Sequence, residues 1–318
     1  MKTNRKGEWF ELIVPSNWVG VTIEDLLRKK WGGPKKQIHL LRMEKAVLLN
    51  GIVPNWNTPL TKGDRLHIKF FENLDFGVIP VCYDLDILYE DDHLLVINKP
   101  AGMDTHPNTP DQTNTLSNAV AYHFQAQGEQ RKVIHIHRLD RDTTGAILFA
   151  KHPFIGALLD KMLEERAIKR TYLALVEGFI KGKQGTIDQP IGKDRHHSTK
   201  RRVSASGQKA VTHYHVLQTF PNKNQSLIEC YLDTGRTHQI RVHLSSIGHP
   251  IVGDLLYGGS TLFKRQALHA IGLNFIHPLT EEPIKCHAPF IDQPPIFIEE
   301  GLSNRKYLSG KPIFIDYL

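Results

Sequence analysis

The sequence is poor in the features that would tie it to an oxidising compartment, a membrane or a structural metal. Its 318 residues include only three cysteines, Cys82, Cys230 and Cys286. They share no metal-ligand spacing and cannot all pair, so a reduced, cytoplasmic setting is expected. No apolar run approaches the ~18 residues of a membrane-spanning helix. The N-terminus, MKTNRKGEWF, has no apolar core of signal-peptide length. Neither export nor membrane insertion is therefore expected. Internal repeats and low-complexity tracts are also missing, which leaves an ordinary folded chain long enough for one large core and a smaller module.

Within that frame the charge is uneven. The net charge is +7, and residues 1–75 hold 13 Lys and Arg against 8 Asp and Glu. A basic bias in one small segment suggests a polyanion partner, of which nucleic acid is the usual one; the plain alternative is a charged, soluble surface. All four tryptophans fall in the same segment, which reads as a separate module over residues 1–75. Thr22 is placed to cap a helix from Ile23. The run Gln37 to Leu49 reads as a second helix passing into a strand, Asn50-Gly51 as a turn, and Leu66, Ile68 and Phe70 as an alternating strand. Lys29, Lys30, Lys35, Lys36, Arg42 and Lys45 surround the helices and predict a basic face. This pattern resembles the small RNA-binding module named after ribosomal small-subunit protein four, and the resemblance implies RNA contacts at Lys35 and Lys36.

A linker is expected at 76–84, a catalytic body over 85–300 and a tail at 301–318. Two strands are predicted around Glu90-Asp91-Asp92-His93, a helix from Thr115 to Gly128, and a helix opened by Pro153. Further strands are predicted at Thr171–Val176, Val211–Val216 and Leu227–Leu232. Helices and strands mix without regular βαβ alternation. The expected class is therefore α+β, a mixed and largely antiparallel central sheet with flanking helices, beside a small α+β N-terminal domain.

Three stretches carry candidate chemistry. In HRLDRDTTGAILFAK (His137–Lys151), Asp140 falls in a loop between apolar segments, walled in sequence by Arg138 and Arg141. Nearby cations favour a charged carboxylate, which is then available as nucleophile or base; a structural ion pair closing a turn is the plain alternative. In DTGRTHQIRVHL (Asp233–Leu244), Arg241 flanks the apolar face of a short helix, and its planar fork suits a buried carboxylate partner. Read plainly, Arg236 and Arg241 are exposed helix cations. In KRTYLALVEG (Lys169–Gly178), Tyr172 is either core or a ring for a base to stack on. The segment Lys193–Arg202, with five Lys and Arg, is either a phosphate-gripping loop, through Lys200 and Arg201, or a solvated hairpin tip.

Together, His137-Arg138-Leu139-Asp140-x-x-Thr143-Thr144-Gly145, Lys169-x-x-Tyr172 and Gly235-Arg236-Thr237-His238-Gln239-Ile240-Arg241 resemble the RNA pseudouridine synthases of the RluA type. Leu88 to Gly102 and Gly248 to Asp254 are similar to that family too, so the likeness spans about residues 85–290. Thr144 stands where the family more often carries Ser, which keeps the hydroxyl. The resemblance implies Asp140 as nucleophile or base, Arg241 as its ion-pair partner, and Tyr172 stacked on the target base and taking the proton from C5. It implies Arg138 filling the gap left by the flipped base, with Arg141 and Arg236 as further RNA contacts. The expected partner is RNA, ribosomal ahead of transfer RNA; a monomer is expected, and because the isomerisation involves no net redox change or hydrolysis, no metal or cofactor is expected.

Two other readings remain at this level. Asp140-Arg141-Asp142-Thr143-Thr144 also fits the aspartate pattern of metal-dependent phosphotransferases of the haloacid-dehalogenase type, although His137 and Arg138 interrupt the apolar strand that class needs. A catalytically silent RNA-binding protein would be expected to lack Asp140 or its cation, and here both are present. His135/His137 and His213/His215 have no matching Glu or Cys frame and read as strand residues rather than metal ligands.

Overall fold

In the computed structural model, residues 3–297 are described, so the expected tail at 301–318 and the last residues of the expected catalytic body lie outside them. Strands β1 (Thr3–Lys6), β2 (Trp9–Ile13), β3 (Val47–Leu49) and β4 (Arg65–Lys69) form an antiparallel sheet in the order β1-β2-β4-β3. Thr22 caps as expected, its hydroxyl accepting from Asp25 N at 3.1 Å. The helix it opens (α1, Ile23–Asp25) widens at once into a π turn (Leu26–Lys30). A second helix, α2 (Lys35–Met43), follows Pro34. Ile23, Leu26, Leu27, Ile38 and Leu41 press onto Phe10, Leu12, Leu66 and Ile68, the inward residues of the sheet.

This small unit does not hang free. The Phe70 ring stacks on His152 (4.9 Å between centroids) and on Phe154 (4.7 Å), and Trp31 meets Phe154 edge-on at 6.3 Å. Lys30 pairs with Glu281 at 2.7 Å, and Arg5 pairs with Glu129. Backbone bonds from Val81 N to Asn118 O (3.1 Å) and from Val133 N to Phe76 O (3.0 Å) fasten the connecting segment to the body.

The body is built on β5 (Ile87–Glu90), β6 (Leu94–Lys99), β7 (Ile134–His135), β8 (Thr144–Ala150), β9 (Lys169–Glu177) and β10 (Gln184–Asp188), with four further strands after them. Between them, β11 (Ile191–Lys193) and β12 (Arg201–Val203) form a separate hairpin. With β13 (Val211–Phe220), β14 (Gln225–Leu232), β15 (Leu268–Ile276) and β16 (Pro283–His287), the large sheet runs β10-β13-β14-β9-β15-β8-β6-β5, with β7 on β8 and β16 on β15. Among the described strands only β8 and β15 pair in parallel. This is the mixed, largely antiparallel sheet that the pattern predicts. Helices α3 (Leu116–Ala126, with Thr115 in a capping box), α4 (Pro153–Glu164) and α5 (Gln239–Ser246) flank it. His135, read as a strand residue, lies on the two-residue β7; beyond it Ile136 N still donates to Leu148 O of β8 (2.9 Å), and the His137 ring, which accepts from Leu148 N, lines a cleft.

The parallel contact explains the Gly of the central motif. Gly145 has φ +112°, and a Cβ there would run into the backbone of Ala270 on β15. Gly145→Ala is therefore expected to destabilise the protein by roughly 3 kcal/mol or more. Chemical denaturation checks this; an unchanged midpoint would mean that β15 yields.

Buried histidines make stability pH-dependent. Under the small unit, His152 Nδ1 accepts from Ile155 N (3.3 Å), so its Nε2 carries the proton and donates to His93 Nδ1 at 3.0 Å. Burial pushes His93 and His137 down to about 3 and His269 to about 4, and drives His152 well below its usual range. The unfolded chain takes up these protons near pH 6.5, whereas the native state refuses them until about pH 3–4. Stability from these groups is thus fully present above pH 6.5 and falls as pH drops below it, with a slope approaching about 1.4 kcal/mol per pH unit for each histidine. Denaturation midpoints measured from pH 7.5 to 4.5 should fall steadily, and a flat series would refute this account.

Candidate active site

One cleft of about 620 Å³ opens at the ends of the central strands. It is lined by residues of all three candidate stretches, Asp140, Tyr172, Arg236 and Arg241 among them. The Asp140 turn is closed by Thr143 N donating to Asp140 O (3.0 Å) and is pinned from several sides. Thr105 Oγ1 donates to Leu139 O at 3.0 Å and accepts from Leu139 N. Lys99, fully buried, donates from Nζ to the carbonyls of Arg141 (2.9 Å), Met103 and Pro100. Burial pushes that amine down to about 7 against the pull of Asp142, Asp140 and Asp104.

Arg265 holds the far end of the turn. It donates to Asp142 O (3.2 Å) and Thr144 Oγ1 (3.0 Å) and is itself paired with Asp292 at 2.6 Å. The Thr144 hydroxyl has a defined duty. His269 Nε2 donates to Ala288 O (3.0 Å), so Nδ1 is the acceptor for Thr144 at 2.7 Å.

From α5, Arg241 Nη1 donates to Asp140 Oδ2 at 3.0 Å, across 101 residues of sequence. Its other edge grips Asp254, with Nε to Oδ2 at 2.7 Å and Nη2 to Oδ1 at 2.9 Å, and Asp254 is 2% exposed. Burial works against the guanidinium's charge, but the Asp254 bonds and the two carboxylate charges outweigh it and hold Arg241 protonated. Arg241 is therefore not the exposed helix cation of the plain reading; Arg236 is exposed at the rim but lies on the loop before α5, with Nε donating to Lys209 O.

The ring of Tyr257 lies 4.9 Å from the Arg241 guanidinium, and burial pushes its hydroxyl up to about 12. That hydroxyl accepts from Arg201 N (2.9 Å) and so donates to His238 Nδ1 (2.8 Å), which leaves the His238 Nε2 proton facing Asp140 Oδ1 at 3.9 Å. His238 itself sits at φ +57° as the N-cap of α5. Tyr172, 4% exposed on β9, turns into the same cleft. Burial first, and then the charge of Asp140, push its hydroxyl up, with Arg170 opposing.

Other sequence expectations need correcting. Arg138 and Arg141 do not wall Asp140: both side chains are exposed, Arg138 at the rim of the cleft and Arg141 outside its lining. Adjacent residues in a tight turn diverge, and the cation that meets Asp140 comes from α5. The basic face of the small unit is also thinner than predicted. Lys29 pairs with Asp25 (2.9 Å), Arg42 with Glu24 and Lys30 with Glu281, while Lys35 and Lys36 stand exposed on the first turn of α2. Lys200 and Arg201 sit at the β11–β12 hairpin, with Lys200 Nζ 5.5 Å from the Tyr257 ring centroid. Among the described residues no group of three or more His, Cys, Asp or Glu is arranged to hold a metal ion.

Sequence reasoning missed Asp254, Tyr257, Lys99 and Arg265. Gly248–Asp254 was visible as a motif, but nothing in its spacing announces an ion pair with Arg241.

Comparison with known proteins gives independent findings. The family model for RNA pseudouridylate synthase matches residues 93–246, and that for the RluD ribosomal pseudouridine synthase N-terminal domain matches residues 10–66. The chain is 48% identical over 288 residues to the uncharacterized RNA pseudouridine synthase YhcT of Bacillus subtilis, covering 90% of this chain and 95% of that one. It is 43% identical over 269 residues to ribosomal large subunit pseudouridine synthase D of Zymomonas mobilis, covering 77% and 84% respectively. Among solved structures, human RNA pseudouridylate synthase domain containing 1 superposes with a TM-score of 0.53 at 28% identity, over 67% of this chain and 88% of that one.

Proposed function

Because the chain belongs to the RNA pseudouridine synthases, a family of isomerases, we propose that it converts uridine in structured ribosomal RNA to pseudouridine at the Asp140 cleft, without a metal. The ion pair between Asp140 and Arg241 at 3.0 Å, inside a cleft that Tyr172 also lines, carries this reading. Ribosomal RNA is favoured by the names of the RluD relatives and by the match of residues 10–66 to their N-terminal domain.

The reaction needs no oxidant and no water. The bond from ribose C1′ to N1 of the uracil breaks, the ring turns, C1′ joins C5, the C5 hydrogen leaves as a proton, and N1 takes one up. Asp140 supplies the nucleophile or base that starts this exchange. Arg241 pairs with that carboxylate and aims it, with Asp254 fixing the guanidinium from behind. Tyr172 stacks on the base. Burial holds its hydroxyl protonated at rest, so it can receive the C5 proton only once its own has gone to the detached ring, where N1 is the position that ends up protonated. Water has to be kept from the opened intermediate, and the cleft's half-buried walls suit that. The uridine must leave its stack, at a cost of a few kcal/mol, which favours loops and bulges. Arg138 at the rim is placed to fill the gap it leaves. Arg141, Arg236, Lys200, Arg201, Lys35 and Lys36 meet RNA further out.

The test is to map pseudouridines in total RNA from cells with and without this protein. One or a few ribosomal positions should disappear with it; loss at transfer RNA positions alone would overturn the ribosomal assignment, and no loss at all would overturn the activity.

A further inference from the structure

Arg170 is a cation in the cleft that the proposed chemistry leaves without a duty. It lies two residues before Tyr172 on β9, so the two side chains share a face of the strand, and both line the cleft. Its guanidinium lies beside the Tyr172 hydroxyl and within electrostatic reach of His137. The loop that carries Arg236 closes over it: a Cβ added at Gly235 would lie 3.2 Å from Arg170 Nη1.

Of the other guanidiniums of the lining, the buried Arg241 is neutralised by Asp140 and Asp254, and the exposed Arg166 pairs with Asp233 at 3.1 Å. Among the described residues, no carboxylate pairs with Arg170. A half-buried cation held in place, next to the ring on which the base would stack, calls for an anion from outside the chain. An RNA nucleotide swung into the cleft brings one of necessity, since it stays bonded to a phosphate on each side. The guanidinium fork matches two phosphate oxygens, and the site's remaining rim charges, Arg138 and Arg236, keep the local potential positive.

We propose that Arg170 is the subsite for a backbone phosphate of the target nucleotide, gripping it while Tyr172 holds the base. The inference rests on the pseudouridine-forming reading above, and it is specific to phosphate: a contact to a uracil oxygen would use the same side chain but would not respond to salt in the same way.

The experiment measures tritium release from RNA labelled with 5-tritiated uridine and extracted from cells lacking the protein, with kcat/KM followed over a range of KCl concentrations. Losing one phosphate contact flattens the slope of log kcat/KM against log salt by ~0.7–0.9. Arg170→Gln and Arg170→Met, the second of which keeps the apolar stem, are expected to show that flattening together with a ~10-fold or greater loss of kcat/KM at low salt, mostly through KM. Arg170→Lys should retain the wild-type slope. Reduced turnover with an unchanged slope in both uncharged variants overturns the proposal, and so does an equal loss of slope in the lysine variant. If the wild-type protein releases no tritium, it is the activity itself that fails, and the two failures are thereby distinguished.

Discussion

Replacing Asp140 by Asn is expected to abolish pseudouridine formation, a loss of roughly 10⁴-fold or more, while RNA binding stays near the wild-type level. The amide keeps an oxygen that accepts from Arg241, so the turn pinned by Thr105, Lys99 and Arg265 should hold its shape. What is lost is the negative charge and the lone pair able to bond to carbon or take a proton. Tritium release measures the first part of this expectation, and retention of labelled RNA on the purified protein measures the second. Turnover above about a hundredth of the wild-type rate would mean that another group starts the reaction, and the assignment of Asp140 would have to be given up.

The second large effect concerns Arg241. Arg241→Met removes the counter-ion of Asp254, which is almost fully buried, and should destabilise the protein by roughly 3–5 kcal/mol while eliminating turnover. Adding Asp254→Asn to that variant takes away the stranded charge, so much of the stability should return. Activity should not return, because Asp140 still lacks its cation. Denaturant melts and tritium release on the single and double variants separate the two roles. Recovery of turnover in the double variant would mean that Arg241 serves only the fold.

Much of the scaffold was legible before any coordinates. Local signals did this work: Thr22 and Thr115 at helix starts, Pro153 at a first helical position, Asn50-Gly51 at a turn, and alternating burial along β4. These depend on a few neighbouring residues, and a chain declares them directly. The Asp140 cleft was legible in a different way. No periodicity links Asp140 to Arg241, and their pairing was anticipated only through likeness to a family. Arg138 and Arg141 were given the role of Arg241 because adjacency in sequence stood in for adjacency in space. The basic face was overcounted for a reason that was visible, since Glu24 with Arg28 and Asp25 with Lys29 sit at helical spacing and pair there. Asp254, Tyr257, Lys99 and Arg265 support the site from other strands and loops, and their partners lie far away in sequence.

The stacked rings of Phe70, His152 and Phe154 have a consequence for which RNAs are accepted. They clamp the small N-terminal unit onto the body, so that the RNA contacts proposed at Lys35 and Lys36 would stand at a fixed distance from Asp140. On that proposal, an RNA held at both lysines would deliver a uridine to Asp140 only if its own architecture spans the same gap. Lengthening an accepted RNA by a base pair between those points would carry the uridine past the cleft, however well its flanking sequence is preserved.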